Sequence, residues 1–333
     1  MTILVTGATH GLGRNAVNYL KQQGTDVIAT GRDLHRGAQL QQQDISFIPA
    51  DLSQLSQLQS DALLAQVDTV WHCAALSSPW GKYDDFYAAN VIATRNLANQ
   101  AGERGIKRFV HISTPSIYFN FCHHVNIAED YLPERLVNHY AHTKWLAEQE
   151  IQRAVVQYPD TTFVILRPRA LFGPEDRVLI PRILSLIKQR NGVLPLPRGG
   201  ETLMDMTFVM NAVQAMWLAT DCAGIDSGSA YNITNQQPVA LKQVIEQLLS
   251  RLNIEYRIKP LPYWILSRLA GSMELWSQYS HREPAFTRYS MGALNFDMTL
   301  DSTKARQELG YIPRYSIDDG IDLTVRWIKE NGV

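Results

Sequence analysis

The chain has 333 residues, of which 45% are hydrophobic, 19% charged and 9% aromatic; that length suffices for a substantial core and, at about 150 residues per domain, for two domains. Lys and Arg number 31 against 32 Asp and Glu, a formal net charge of -1 with His neutral. The balance excludes a nucleic-acid coat or a polybasic membrane tether, both of which need positive excess, and leaves local basic sites open. The three cysteines, Cys73, Cys122 and Cys222, form no C-x-x-C pair, which fits a reducing compartment better than a disulfide framework. Residues Met1 to Gly7 carry neither a basic region nor a long apolar run, so no signal peptide is read there. The apolar stretch Tyr263 to Trp276 is interrupted by Arg268 and Glu274 and is too short for stable membrane insertion. The expectation is a cytoplasmic protein.

Along the chain, Ile3-Leu4-Val5 is a short apolar run, followed by a glycine cluster and by helical apolar spacing over Leu12 to Gln23. Val27 to Ala29, Ile45 to Ile48, Val67 to Trp71, Phe109 to Ile112 and Thr162 to Leu166 follow as further strands, each separated by a segment that reads as helical. Continuous rather than alternating apolar runs suit a parallel sheet covered on both faces. Strands interleaved with helices predict an α/β fold, a doubly wound parallel sheet of the Rossmann kind. After about Pro168 the prolines and glycines thicken and the alternation fades; Ala230 to Ile233 reads as one more strand and Leu241 to Leu252 as a helix. The expected division is a cofactor-binding unit over 1–167 and a smaller, discontinuous substrate-binding cap over 168–333, with about 205–235 returning to the sheet.

Thr6-Gly7-Ala8-Thr9-His10-Gly11-Leu12-Gly13 lies between the first strand and the first helix. Glycines there permit a tight turn and let backbone N–H groups approach a pyrophosphate at the helix N-terminus. The second strand ends in Thr30-Gly31-Arg32 with no acid at its tip. An acid would accept from a ribose 2′-OH, whereas a guanidinium suits a 2′-phosphate. The cofactor expected is NADP, with NAD the alternative. Asp51 and Leu52 follow the third strand, where the aspartate is placed to meet an adenine amino group or simply to cap a helix.

Tyr140 and Lys144 stand four apart in a segment that runs to Gln157 without Gly or Pro, so both share one helix face. An ammonium that near a phenol is expected to lower its pKa, making Tyr140 a proton donor to a carbonyl or acceptor from an alcohol. Upstream, His111-Ile112-Ser113-Thr114-Pro115-Ser116 places hydroxyls at the carboxyl end of a central strand, where open α/β sheets bind their ligands. Thr114 is read as holding the substrate oxygen, with Ser113 as its rival.

These residues, in order with His72-Cys73-Ala74-Ala75, Asn90-Val91, Arg167-Pro168, Gly173-Pro174, Asp205 to Val209 and Tyr231 to Thr234, resemble an extended short-chain dehydrogenase/reductase of the epimerase/dehydratase superfamily. The likeness runs almost end to end and is greatest to the 3β-hydroxysteroid dehydrogenase-like branch. The resemblance implies Tyr140 as acid/base, Lys144 as its electrostatic partner and ribose binder, and Thr114 as the catalytic hydroxyl. It implies cofactor contacts at Gly7, Thr9, Gly11, Leu12, Gly13, Arg32, Asp51, Leu52, Cys73, Ala74, Ala75, Asn90, Arg167 and Pro168. Substrate contacts are expected at Trp80, Pro115, Ser116 and Phe172, and a homodimer through helices around Asn90–Gln100 and Tyr140–Gln157. The glycine spacing departs from the extended family's usual G-x-x-G-x-x-G and matches its shorter relatives. Ser113 to Ser116 and Trp80 to Tyr83 further resemble reductases of 3-oxo or 3-hydroxy acyl compounds in bacterial olefin synthesis.

The implied activity is interconversion of a ketone and a secondary alcohol on a largely apolar small molecule. The alternatives are a nucleotide-sugar epimerase or dehydratase on the same fold, and a cofactor-sensing regulator without chemistry. Dehydratases of that fold carry an acidic pair after the catalytic hydroxyl, where Pro115-Ser116 stand here. His123-His124 lack companions at ligand spacing, so no metal is expected. Cys73 beside His72 is read as a buried structural thiol, since neighbours on a strand face opposite ways. Tyr263, Trp264, Leu266, Leu269 and Trp276 are read as a lid packed over the active site, or else a membrane-leaning face.

Overall fold

A computed structural model describes residues 1–176, 179–280 and 283–332. Seven strands form the main sheet: β1 (Thr2–Thr6), β2 (Asp26–Gly31), β3 (Ser46–Pro49), β4 (Thr69–His72), β5 (Arg108–Ile112), β6 (Thr162–Pro168) and β7 (Ser229–Ile233). Their order is β7-β6-β5-β4-β1-β2-β3, and every pairing is parallel. The chain leaves β1 toward β3 and then crosses to β4 on the other side. Such a reversal opens a crevice at the carboxyl ends of β1 and β4.

The apolar runs become strands because both sheet faces are covered. Ile3, Leu4 and Val5 are wholly buried, as are Val70, Trp71, Phe109 and Val110. On one face lie α1 (Gly11–Gln22) and α2 (Leu34–Gln41); on the other α3 (Gln57–Leu64), α4 (Ala93–Glu103) and α5 (His139–Gln157). Two strand starts lie later than the apolar pattern suggests. Ile45 still closes the end of α2 through a bond to Leu40 O, and the Asp68 carboxylate accepts from Thr2 N at 2.8 Å, so pairing begins at Ser46 and Thr69.

The second half of the chain does not stay apart from the sheet. Helix α6 (Ile180–Gln189) belongs to the cap, but α7 (Val209–Asp221) lies against α1, with Tyr19 and Trp217 edge to face at 6.1 Å. Strand β7 then joins the sheet edge with Tyr231 opposite Leu166. The rest of the cap comprises α8 (Leu241–Arg251), α9 (Tyr263–Ser280), α10 (Arg288–Ala293) and α11 (Ile317–Asn331). Helix α11 begins with a Ser316/Asp319 capping box and ends at Gly332 in the left-handed conformation, a start and a stop written locally. Pro181 in the first turn of α6 fits a position whose N–H has no helical partner. An apolar cluster containing Leu194, Leu196, Ile245 and Leu248 fills the cap.

Helix α9 departs from the lid reading. Its Leu266 and Ala270 pack with Met291 of α10, and α10, not α9, supplies side chains to the cavity described below. Trp264, Leu269, Leu275, Trp276 and Tyr279 face outward. No helix among the described residues is long and apolar enough to cross a membrane.

One buried ion pair holds α5 to the sheet. Arg167 Nε and Nη2 donate to the two Glu148 carboxylate oxygens at 2.9 and 2.6 Å, and Nη1 donates to Glu129 O at 2.7 Å and to the Tyr118 hydroxyl. Both side chains are at least nine-tenths buried. Removing one member of such a pair leaves the other charged and unpaired, at a cost of about 3–5 kcal/mol. Arg167→Leu is therefore expected to lower unfolding free energy by about that amount in urea denaturation, with the midpoint shifted at near-constant slope.

Candidate active site

The crevice continues into a cavity of about 770 Å³ that reaches from the sheet into the cap. At its sheet end the glycine loop is built by close backbone approach. A Cβ on Gly7, at φ 64°, would stand 2.9 Å from Ala74 N, and one on Gly13 would stand 2.3 Å from Gly7 O. Gly7 thus admits the chain after β4, and Gly13 lets α1 settle against the loop. His10, in extended conformation, gives α1 no side-chain cap, so the first-turn N–H groups have no side-chain acceptor there. His10 instead lies 3.3 Å from Asp33. A nearby strap crosses the loop: Asn15 donates to Pro174 O at 2.9 Å, and Arg36 pairs with Glu175 at 2.6 Å.

Gly7, Thr9, Gly11 and Leu12 line this end, as do Arg32, Asp51 and Leu52. The Arg32 side chain is 70% exposed, 4.0 Å from Asp51. Ser53 donates to Asp51 from its backbone and hydroxyl, which holds the carboxyl below the usual range. On the far wall stand Cys73, Ala74 and Ala75. Burial pushes the Cys73 thiol up to about 12, so it is no nucleophile at neutral pH.

In the middle, Thr114, Pro115, Ser116, Tyr140, Lys144, Pro168 and Phe172 all face the cavity. Asn138 caps α5 by accepting from Ala141 N at 2.8 Å, fixing the first turn that carries Tyr140. Burial raises the Tyr140 pKa; hydrogen bonds with Ser77 and Thr114 oppose the rise, and Tyr289 adds to it. The direction is opposite to the one anticipated from the Tyr140–Lys144 spacing. Lys144 shares the helix face but donates to Ile112 O at 2.7 Å and to His111 Nε2 at 3.2 Å. Burial brings its own pKa down to about 8, against the pull of Glu148. His111 and His72 are held far below their ordinary values by burial and by Lys144, so both are neutral.

Four residues named from the sequence lie outside the cavity lining. Arg167 is spent on Glu148, Tyr118 and Glu129. Asn90 binds Leu76 N at 2.7 Å and Thr143 Oγ1 at 3.0 Å, and so fixes the chain after β4 rather than facing the cavity. Gly13 is covered by Gly7, and Trp80 N is held by Ser78 Oγ at 3.2 Å beyond the wall. Ser113 lines the cavity, but its hydroxyl donates to Glu148, whereas Thr114 Oγ1 donates to Ser116 Oγ at 3.0 Å. Residues not singled out from the sequence also enter: Ser77, Arg169 and Tyr289. Ser77 lies two residues past the His72–Ala75 block; Tyr289 is far from Tyr140 in sequence and carries no local signal. His123 is taken by Asp297 and His124 by Asn120, each at 3.0 Å. No metal-binding group of three is present among the described residues.

Residues 3–234 match the model of the NAD dependent epimerase/dehydratase family. The chain belongs to that family. It is an extended short-chain dehydrogenase/reductase, and an enzyme of the oxidoreductase class. The protein YbjS of Escherichia coli, itself uncharacterized, is 46% identical over 334 residues, covering 100% of this chain and 99% of its own. A 2-alkyl-3-oxoalkanoate reductase of Stenotrophomonas maltophilia is 32% identical over 96% of this chain and 97% of its own. Among solved structures, the UDP-glucuronic acid 4-epimerase of Bacillus cereus in complex with NAD superposes with a TM-score of 0.78 at 21% identity, covering 99% and 97% of the two chains. That likeness is one of fold.

The glycine cradle and the uncapped N-terminus of α1 fit a dinucleotide pyrophosphate in this family. The loop Gly7–Leu12 would hold the phosphates, Asp51 and Leu52 the adenine end, and Lys144 the ribose beside the nicotinamide. Lys144 is charged below about pH 8 and neutral above it. Dinucleotide affinity, followed by fluorescence titration, is therefore expected to decline from about pH 8 upward, and Lys144→Met is expected to lose that step. A step that persists in the variant assigns the titration to another group.

Proposed function

We propose that the enzyme interconverts a ketone and a secondary alcohol of the 3-oxo/3-hydroxy type on a largely apolar substrate, with NADP(H) as cofactor. The observation that carries the reading is the cavity itself. Tyr140 and Thr114 meet at its centre, and from there it runs into a cap wall of Leu186, Leu194, Leu196, Ile245 and Leu294. A wall of aliphatic side chains suits an alkyl chain far better than the diphosphate of a nucleotide sugar. Support also comes from the 32% identity to a reductase whose name describes a 3-oxoalkanoate substrate.

When bound, the nicotinamide supplies or accepts the hydride. Tyr140 gives its phenolic proton to the oxygen as the carbonyl is reduced, and the raised pKa keeps that proton in place at neutral pH. Thr114 donates to the same oxygen and fixes its position beside the phenol. Lys144, anchored on Ile112 O, supplies positive charge as the oxygen becomes anionic. In the reverse direction Tyr140 must first give up its proton and then accepts that of the alcohol as the phenolate, so oxidation is favoured by higher pH than reduction.

Tyr140→Phe is expected to cut ketone-dependent NADPH consumption by about 100-fold or more, the usual scale of a positioned proton donor, while the variant still binds NADPH. Unaltered turnover in that variant would move the proton transfer elsewhere. Conversion of a UDP-sugar without net change in cofactor, seen by product chromatography, would overturn the ketone/alcohol reading in favour of an epimerase.

The preference for NADP is inferred from Arg32, which projects from the end of β2 where an acid would otherwise select ribose hydroxyls. Arg32→Gln is expected to weaken NADPH about tenfold or more, as loss of a charge-assisted bond does, and to leave NADH nearly unaffected. Equal thermal stabilisation of the wild type by both cofactors would remove this role.

A further inference from the structure

We propose that Arg169 is a binding site for a substrate carboxylate, so that the enzyme acts on 3-oxo or 3-hydroxy acids in their free, ionised form. The inference rests on the reading of Tyr140 as the proton donor to the 3-oxygen, and it adds the group that recognises the other end of the same headgroup.

Arg169 directly follows β6. Its backbone is fixed on both sides: N donates to Ile233 O at 3.1 Å, and O accepts from Thr207 Oγ1 at 2.7 Å. The residue is only 9% exposed and lines the cavity. Its Nε is buried without a hydrogen-bond partner, and among the described residues no carboxylate lies within 4.0 Å of the guanidinium. Arg167, two residues earlier, shows the contrast, since all its nitrogens are committed to Glu148, Tyr118 and Glu129. A buried guanidinium left unpaired is costly unless something completes it.

The groups acting on Arg169 are Tyr289 and Asp205. Asp205 is already engaged, accepting from Leu300 N at 2.7 Å, and stands beyond ion-pair distance. Tyr289 points back to the reaction centre: its hydroxyl is 2.7 Å from Ser116 Oγ, which accepts from Thr114 Oγ1 at 3.0 Å. A line of hydroxyls thus runs from Tyr140 through Thr114 and Ser116 to Tyr289, whose hydroxyl acts electrostatically on both Tyr140 and Arg169. Two hydrogen bonds separate Thr114 from the Tyr289 hydroxyl. A 3-oxo acid, with one carbon between its two polar groups, can meet the Tyr140/Thr114 pair with its ketone oxygen while its carboxylate meets Arg169 in the same cavity. Its alkyl chain then follows the aliphatic wall into the cap. A planar guanidinium pairs with a carboxylate through two parallel N–H···O bonds, and the low-dielectric wall strengthens them.

In the oxidative direction the C3–H bond breaks with its electron pair passing to NADP⁺. Tyr140 takes part here as the phenolate, its own proton having first left to solvent; the alcohol hydroxyl proton then passes to the phenolate oxygen, and the carboxylate at Arg169 is unchanged.

The test compares 3-hydroxydodecanoate with its methyl ester, following NADPH formation, in the wild type, Arg169→Lys and Arg169→Gln. The acid is expected to be preferred in kcat/KM by about 30-fold, the scale of hydrogen bonds to a charged partner. The preference is expected to fall to within about threefold of unity in Arg169→Gln and to stay intermediate in Arg169→Lys. Equal rates for acid and ester in the wild type overturn the proposal. So does an acid/ester ratio that survives in Arg169→Gln, or a loss of NADP⁺ affinity in that variant that accounts for the whole effect, which would place a cofactor phosphate at the arginine. A second readout does not depend on turnover: thermal protection of the NADP⁺-loaded protein by decanoate against decanamide. Protection by decanoate alone, lost in Arg169→Gln, upholds the carboxylate site even where neither hydroxy compound reacts, and then the ketone/alcohol reading is what fails. Equal protection by both, or none by decanoate, overturns the site even where the ester is oxidised.

Discussion

The two-pronged contact between Arg167 and Glu148 is where the sheet, helix α5 and the loop after β5 are joined. Glu148 lies on α5 one turn beyond Lys144 and also receives the Ser113 hydroxyl. Arg167 lies on β6 and reaches Tyr118 and the backbone at Glu129. The rotation of α5 about its axis is therefore set by charge pairing within a dry interior, where geometry is enforced because a misplaced partner is expensive. Tyr140, Lys144 and Thr114 inherit their mutual positions from it. Arg167 and Glu148 thus fix these three side chains without themselves lining the cavity.

Much of this was legible in the sequence because the physics is local. Buried parallel strands demand unbroken apolar runs, and those runs mark all seven strands, including Ala230 to Ile233 far along the chain. The glycine cluster places a tight turn between β1 and α1, and i, i+4 spacing places Tyr140 and Lys144 on one helical face. What local pattern does not carry is direction within the packed interior. Arg167 and Arg169 are two apart at the end of one strand; the motif drew attention to Arg167, yet the interior consumes Arg167 and leaves Arg169 at the cavity. Similarly, helix spacing brings Lys144 near Tyr140, but the carbonyl at the end of β5 captures its ammonium. Tyr289 reaches the site only because α9 backs α10, a long-range packing event without a short-range signature.

The cavity divides its chemistry along its length. At the sheet end, backbone donors and the N-terminus of α1 favour negative groups, and Arg32 adds positive charge at the rim. At the cap end, aliphatic side chains favour hydrocarbon. Between them lies a narrow band of hydroxyls, Ser77, Thr114, Ser116, Tyr140 and Tyr289. A near-zero net charge is thus the sum of opposed local environments. That band draws on both halves of the chain, so the cavity is walled only when both are in place.

The position of β7 has a consequence for the order of synthesis. β6 is complete once residue 168 has emerged, but its outer edge pairs only with residues 229–233. For about 60 residues of translation that edge presents a ladder of unpaired N–H and C=O groups, a template for adventitious pairing. Helix α7, which covers the sheet beside α1, also emerges in this interval. The cofactor-binding sheet is therefore among the earliest parts of the molecule to begin and among the later parts to be sealed. Its closure is tied to the arrival of the chain that also builds the aliphatic wall of the cavity.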